Sequence, residues 1–375
     1  MNRILKIALL TALLSACSSQ TAQNWSPGAA STYLDMREVK WSKWGPAARA
    51  NGTVCVSCHT SLVYALARPR LEATLQQPPA APRLELLANV QKRVRLWSQI
   101  PPYYPDHPRS SRDMEVVLNA LILADEDKRH GALGVETQSA LDDMWSLQVT
   151  SGPDAGSWPW LHAGNEPFEA NESDYFGATL AALAVGATPD EYRARPALQA
   201  NLERLRSYLV RGYPQQTLFN KIQLLWAGSQ WPGLVTPAMR DEVEAQIWAQ
   251  QRPDGGWRLA SLIPDWKRRD GRALSSDSDG YATGLITLVL QDSGLPRTDA
   301  RLGRGLSWLQ SHQSSWNGRW MATSPNRSYG YFGEQRHFMD DAATAFAVLA
   351  LTEPPAAGPL HAGNQTSSVG VGITP

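Results

Sequence analysis

The sequence predicts an all-α fold, an (α/α)6 toroid, on three observations. Apolar segments of one pattern recur six times, each follows an amphipathic segment, and no stretch alternates with the period of two that a half-buried strand needs. Asp174–Leu183, Asp279–Leu288 and Asp340–Leu349 align without a gap, and Asp113–Leu121 joins them. The stretch following Thr217 is a weaker copy, and Cys58 begins a sixth. The segments preceding these are Ser31–Lys40, Arg83–Trp97, Thr137–Gln148, Leu198–Arg211, Arg240–Gln251 and Leu302–His312. The second segment of each pair is apolar nearly all round and belongs inside, whereas the first carries charges on one face and belongs outside. Six such pairs are expected to close into a ring around a central cavity. An open solenoid of the same pairs is the competing arrangement.

The most specific short motif is Cys55-Val56-Ser57-Cys58-His59. CxxCH is the attachment signature of a c-type haem: two thiols add to the porphyrin vinyls, and the adjoining imidazole becomes the proximal iron ligand. A structural zinc site would need about four ligands, and no second Cys pair or close His pair supplies them. A redox dithiol would follow a strand in a βαβ unit, but Thr60–Ala67 reads as a helix. Haem c, held by Cys55, Cys58 and His59, is therefore the expected cofactor, with iron on His59.

The N-terminus agrees with that cofactor. Basic Arg3 and Lys6 accompany an apolar run from Ile4 to Leu14, too short to span a bilayer, which reads as a secretory signal. Leu14-Ser15-Ala16-Cys17 resembles the lipobox of bacterial lipoproteins, and Ser18 in the next position resembles the pattern that directs such proteins to the outer membrane of a Gram-negative cell. Residues 1–16 are then a signal peptide, 17–30 a tether lipidated at Cys17, 31–353 the toroid with its haem segment at 53–69, and 354–375 a disordered tail rich in Pro, Gly and Ser. Cys17, Cys55 and Cys58 are the only cysteines, so none is left for a disulfide. With 43% hydrophobic residues in 375, the chain can rest on its core. Lys+Arg and Asp+Glu balance at 35 each, so no global field draws it to nucleic acid.

The loops between outer and inner segments carry a family resemblance. Gln251-Arg252-Pro253-Asp254-Gly255-Gly256-Trp257 matches the QxxxGxW repeat of squalene–hopene and oxidosqualene cyclases. Gln313 to Trp320 is a near match one residue longer, and Gln148 to Trp158 a looser one. The chain from about Arg83 to Leu351 thus resembles the terpenoid cyclase and protein prenyltransferase toroid superfamily. That resemblance implies the fold more than the reaction. Class II cyclases use a DxDD motif whose middle Asp protonates an alkene or epoxide. Here Phe338-Met339-Asp340-Asp341 lacks the first Asp and Asp277-Ser278-Asp279-Gly280 the last. Asp279, Asp340 and Asp341 remain the catalytic candidates, against a simpler role for Asp113, Asp174, Asp279 and Asp340 as helix caps. A prenyltransferase zinc site lacks a spare Cys.

In a closed ring the sixth pair lies beside the first, which brings His337 and Met339 toward the haem as candidate distal ligands. His162, Met114 and Met321 are further candidates, and a vacant sixth position is an equal alternative. His107, His130, His312 and His361 are discounted as loop or surface residues. Lys267-Arg268-Arg269 reads as a solvated charge run, Pro78–Pro82 as a linker and Pro101–Pro105 as a loop within a pair. The expected function is a haem-dependent oxidoreductase, membrane-tethered on the periplasmic side, acting on a hydrophobic small molecule. The alternative is a non-catalytic electron-transfer or sensing module with a periplasmic redox partner; a residual cyclase or isomerase using Asp279 or Asp340 ranks third.

Overall fold

The computed structural model describes residues 25–170 and 172–352. The described residues form thirteen α-helices: α1 (Pro27–Ser42), α2 (Ser61–Leu75), α3 (Ala81–Arg95), α4 (Pro108–Lys128), α5 (Val135–Leu147), α6 (Ser173–Ala187), the one-turn α7 (Asp190–Arg193), α8 (Gln199–Gly212), α9 (Leu218–Gln230), α10 (Pro237–Ala249), α11 (Gly280–Asp292), α12 (Ala300–Ser311) and α13 (Phe338–Thr352). A two-residue hairpin, β1 (Ala48–Arg49) with β2 (Thr53–Val54), pairs Ala48 with Val54 and Arg49 with Thr53. Cys17 and the tail lie outside the described residues. The first helix begins at Pro27, within the stretch expected to be tether, because Ser26 accepts the Ala29 N–H and Pro27 is preset for a first helical turn.

Burial sorts the helices as their periodicity requires. In α6 every residue but Asp174 is buried, and α11 buries Gly280 through Gln291 without a break. By contrast α8 buries only Leu202, Leu205 and Leu209, and α10 only Val243 and Ile247, at the three- and four-residue spacing of a single face. Each buried helix packs on two others: α2 on α4, α4 on α6, α6 on α9, α9 on α11, α11 on α13, and α13 on α2. The outer α1 lies against both α2 and α13, and α12 against both α11 and α13.

The three Gln…Trp loops share one construction. Gln148, Gln251 and Gln313 each donate from Nε2 to a glycine carbonyl in their own loop, those of Gly156, Gly255 and Gly318. Each also donates to a backbone carbonyl at the start of the next outer helix: Asn201 for Gln148, Arg301 for Gln251 and Ser26 for Gln313. The third clamp therefore joins the last outer helix to the first. Trp158, Trp257 and Trp320, fully buried, donate back to Met144, Ile247 and Leu309. Gly318 has φ +76°, and a Cβ there would lie 2.4 Å from the Ala29 carbonyl oxygen. Gly318→Ala combines a left-handed conformation with backbone overlap, so it should cost about 2–4 kcal/mol, read as a lowered urea midpoint. Gly303→Ala, with open space at its Cβ, should leave the midpoint unchanged or raise it.

Candidate functional site

The Cys55–His59 segment is held from both sides before any ligand is considered. The hairpin turn uses Asn51 and Gly52 at positive φ, and α3 grips the strand after it. The Asn89 side chain accepts from the Val54 N–H at 2.8 Å and donates to the Val54 carbonyl at 2.9 Å. Arg93, fully buried, donates to Thr53 Oγ1 at 2.6 Å and to Glu115 Oε1 at 2.5 Å. Trp41 Nε1 donates to the Cys55 carbonyl at 2.8 Å. Ser57 Oγ accepts from the N–H groups of Thr60 and Ser61, so the motif turns directly into the first turn of α2. Cys58 thus precedes α2 by three residues rather than starting it.

His59 is fixed on three faces. Phe338 of α13 stacks on its ring at 3.8 Å and 15°, and Trp41 meets it edge-on at 5.2 Å. Its Nδ1 lies 2.9 Å from Thr60 Oγ1, and Thr60 Oγ1 donates to Asp341 Oδ2 at 2.8 Å. With the hydroxyl proton given to Asp341, Thr60 accepts from His59 Nδ1–H, which leaves Nε2 as the lone-pair nitrogen. Asp341 also takes Tyr33 Oη at 2.9 Å and Arg37 Nε at 2.7 Å. Burial, reinforced by Arg37, pushes the imidazole down to about 3, so it stays neutral at any ordinary pH.

Beside His59 lies a cavity of 320 Å³ whose wall includes Cys58, Trp44, Phe168, Phe338, Met114 and Met339. Its polar groups include Glu166, Glu169, Asn326 and two arginines, Arg269 and Arg327. Burial raises Glu166 to about 7, helped by Glu172, and raises Glu169 as well. Both cysteines are free thiols, with Cys55 pushed up to about 11 by burial and Cys58 also raised. Cys55 lines a separate cavity of 200 Å³ with Glu38 and Ser61. Glu38 receives Ser61 Oγ at 3.4 Å, its Oε2 has no partner, and burial lifts it from 4.5 to about 8. The stability tied to that proton is fully present below about pH 4.5 and is lost as pH rises through about 8. Glu38→Gln should therefore flatten the pH dependence of the urea midpoint across that window and leave the variant the more stable protein at its alkaline end.

The candidate aspartates are structural ties rather than cavity groups. Asp174, Asp279 and Asp340 accept the N–H of Trp160, Leu259 and Ala322, in each case two residues beyond the buried loop Trp. Asp279 also caps α11 through the Ala282 N–H, but Asp113 does not begin its helix: α4 starts at Pro108, and Asp113 instead accepts from Arg109 at 2.7 Å. None of Asp279, Asp340 and Asp341 lines the 320 Å³ cavity.

Of the candidate distal ligands, Met339 and Met114 reach that cavity and His337 does not. His337 Nδ1 lies 3.4 Å from Arg319 and 3.5 Å from Asp340. His162 bonds Asp174 at 2.8 Å, and Met321 is solvent-exposed. The basic run is not wholly solvated. Arg268 is buried on Asp270 and the Ser324 carbonyl, and Arg269 donates to the carbonyls of Ala163 and Gly164. Only Lys267 is exposed without such ties. Cavity residues missed in the sequence include Glu166, Glu169 and Asn326, which sit in long loops. Asn326 closes on Glu166 by accepting its N–H and donating to its carbonyl, an assembly that no local spacing announces.

Among the described residues no cluster of three His, Cys, Asp or Glu is arranged for a metal ion, and no helix is long and apolar enough to cross a membrane. No protein-family model matches the sequence, and no curated protein matches it.

Proposed function

We propose that this chain is a c-type haem protein, secreted and lipid-anchored through Cys17 at the periplasmic face of a Gram-negative outer membrane, with its haem seated at the 320 Å³ cavity beside His59, and that it is a haem-dependent oxidoreductase acting on a hydrophobic substrate. The observation that carries the haem reading is the His59–Thr60–Asp341 chain. A metal-ligating histidine commonly gives its second nitrogen to a carboxylate, a backbone carbonyl or a water, which fixes the tautomer and raises ligand basicity; His59 gives its to the Thr60 hydroxyl, which passes a hydrogen bond on to the Asp341 carboxylate and leaves Nε2 over. In attachment each S–H would add across a vinyl group, sulfur to one carbon and hydrogen to the other, which uses both cysteines of the motif. Bound there, a haem would supply a one-electron couple and, with its sixth position open, a site for small-molecule chemistry. The protein's part is to orient the imidazole, exclude water with Trp41, Trp44, Phe168 and Phe338, and hold protons at Glu166 and Glu169.

The scaffold reading is a closed (α/α)6 toroid similar to the terpenoid cyclase and prenyltransferase superfamily. The third Gln clamp, from Gln313 to Ser26, and the packing of α13 on α2 support closure. A cyclase or isomerase reading loses weight, because Asp279 and Asp340 are occupied in tying loops.

The Met114 and Met339 side chains on the cavity wall favour one second reading, a six-coordinate electron carrier with a periplasmic redox partner. Carbon monoxide added to the reduced protein separates the two. An immediate shift of the Soret band supports the oxidoreductase. An unresponsive spectrum that becomes responsive in Met339→Ala or Met114→Ala supports the carrier.

A further inference from the structure

The C-terminal halves of the buried helices enclose a second cavity, of 430 Å³, which the haem reading does not use. Each of the six contributes one large apolar side chain: Leu66, Leu121, Leu183, Trp226, Leu288 and Leu349. These fall eight or nine residues after the segment starts Cys58, Asp113, Asp174, Thr217, Asp279 and Asp340, so the lining is itself part of the repeat. The volume lies within the roughly 300–1,000 Å³ range of small-molecule sites.

An aromatic plug separates this cavity from the one at His59. Phe168, on the wall of the first, meets Tyr281 at 6.0 Å between centroids; Tyr281 meets Phe346 at 5.4 Å, and Phe346 meets Trp226, on the wall of the second, at 5.8 Å. A molecule in the second cavity therefore does not reach His59.

The rim decides what head group fits. Arg129 is neutralised by Asp125 at 2.6 Å and Glu126 at 2.7 Å. Asp292 accepts Trp226 Nε1 at 3.0 Å, and Arg70, a third cation on the wall, has a partner within the protein. Lys128, exposed, donates only to the Gln230 amide oxygen at 2.6 Å and pairs with no carboxylate among the described residues. A deep apolar floor under an ammonium group that lacks a counter-ion suits an amphiphile with an anionic head.

We propose that this cavity is a binding site for a single-chain alkyl carboxylate, its chain among the leucines and its carboxylate on Lys128. The test is calorimetric titration of the full chain carrying Cys17→Ala, handled without detergent, with dodecanoate and, separately, dodecyltrimethylammonium. One dodecanoate per chain is expected, with the cation bound at least about tenfold more weakly, a difference of about 1.4 kcal/mol. Lys128→Glu, a surface change that leaves the fold intact, should weaken dodecanoate at least about tenfold. Leu288→Trp, which fills the floor, should abolish binding. Absence of 1:1 binding, equal affinity for the cation, or Lys128→Glu binding like the parent chain would overturn the proposal. None of these outcomes depends on the haem, whose spectrum is read independently.

Discussion

His59→Ala, expressed in cells competent for cytochrome c maturation, is expected to yield a folded chain with haem content reduced at least about tenfold. In the proposed site the imidazole would be the proximal ligand, and without it the porphyrin would have only the two sulfurs to hold it. Folding should survive, because His59 donates a single hydrogen bond and its losses are the packing faces toward Phe338 and Trp41. The checks are the Soret absorbance per chain and the helical circular dichroism of the same sample. A variant with an undiminished Soret band would place the iron elsewhere.

Asp341→Ala is expected to have the largest effect on stability. The carboxylate is buried and receives Tyr33, Arg37 and Thr60, so one truncation strands a guanidinium, a phenol and a hydroxyl together. Removing one partner of a buried ion pair costs about 3–5 kcal/mol, and among the described residues Arg37 keeps Glu334, at 2.5 Å, as its remaining counter-ion. These ties run from α13 to α1 and to the turn before α2, so their loss also loosens the junction between the ends of the described chain. Urea denaturation of the variant beside Asp341→Asn, which retains acceptor geometry without the charge, measures the effect. A loss below about 1 kcal/mol would show that the junction does not depend on this carboxylate.

The helices were legible because their signals are local. The apolar faces of α8, α10 and α12 repeat every three or four residues, and the all-round apolar α6, α11 and α13 can only be inner. Their observed limits lie within a few residues of those read from the sequence. The exceptions have physical causes. Pro108 at the first helical position starts α4 ahead of Asp113, since its fixed φ suits a first turn. The hairpin before the motif has two-residue strands, too short for an alternation to show.

The site was only half legible. Cys55, Cys58 and His59 stand together in the sequence, and closeness of the sixth segment to the first was an expectation of the sequence reading; Phe338 of that segment stacks on His59. Which side chain of that segment reaches the cavity did not follow. The 3-10 turn Glu334–His337 carries His337 toward Arg319 and Asp340, whereas Met339, two residues on, lines the cavity. Thr60, which links His59 to Asp341, lies 281 positions from that aspartate, and the link depends on side-chain directions that spacing does not encode.

Mass spectrometry of the proteolytic peptide containing Cys55–His59, from protein made in maturation-competent cells, tests the central claim most directly. A single haem covalently carried on that peptide, absent when Cys55 and Cys58 are both serine, is the predicted result. The same peptide recovered at its unmodified mass, with both thiols free to alkylate, would contradict it.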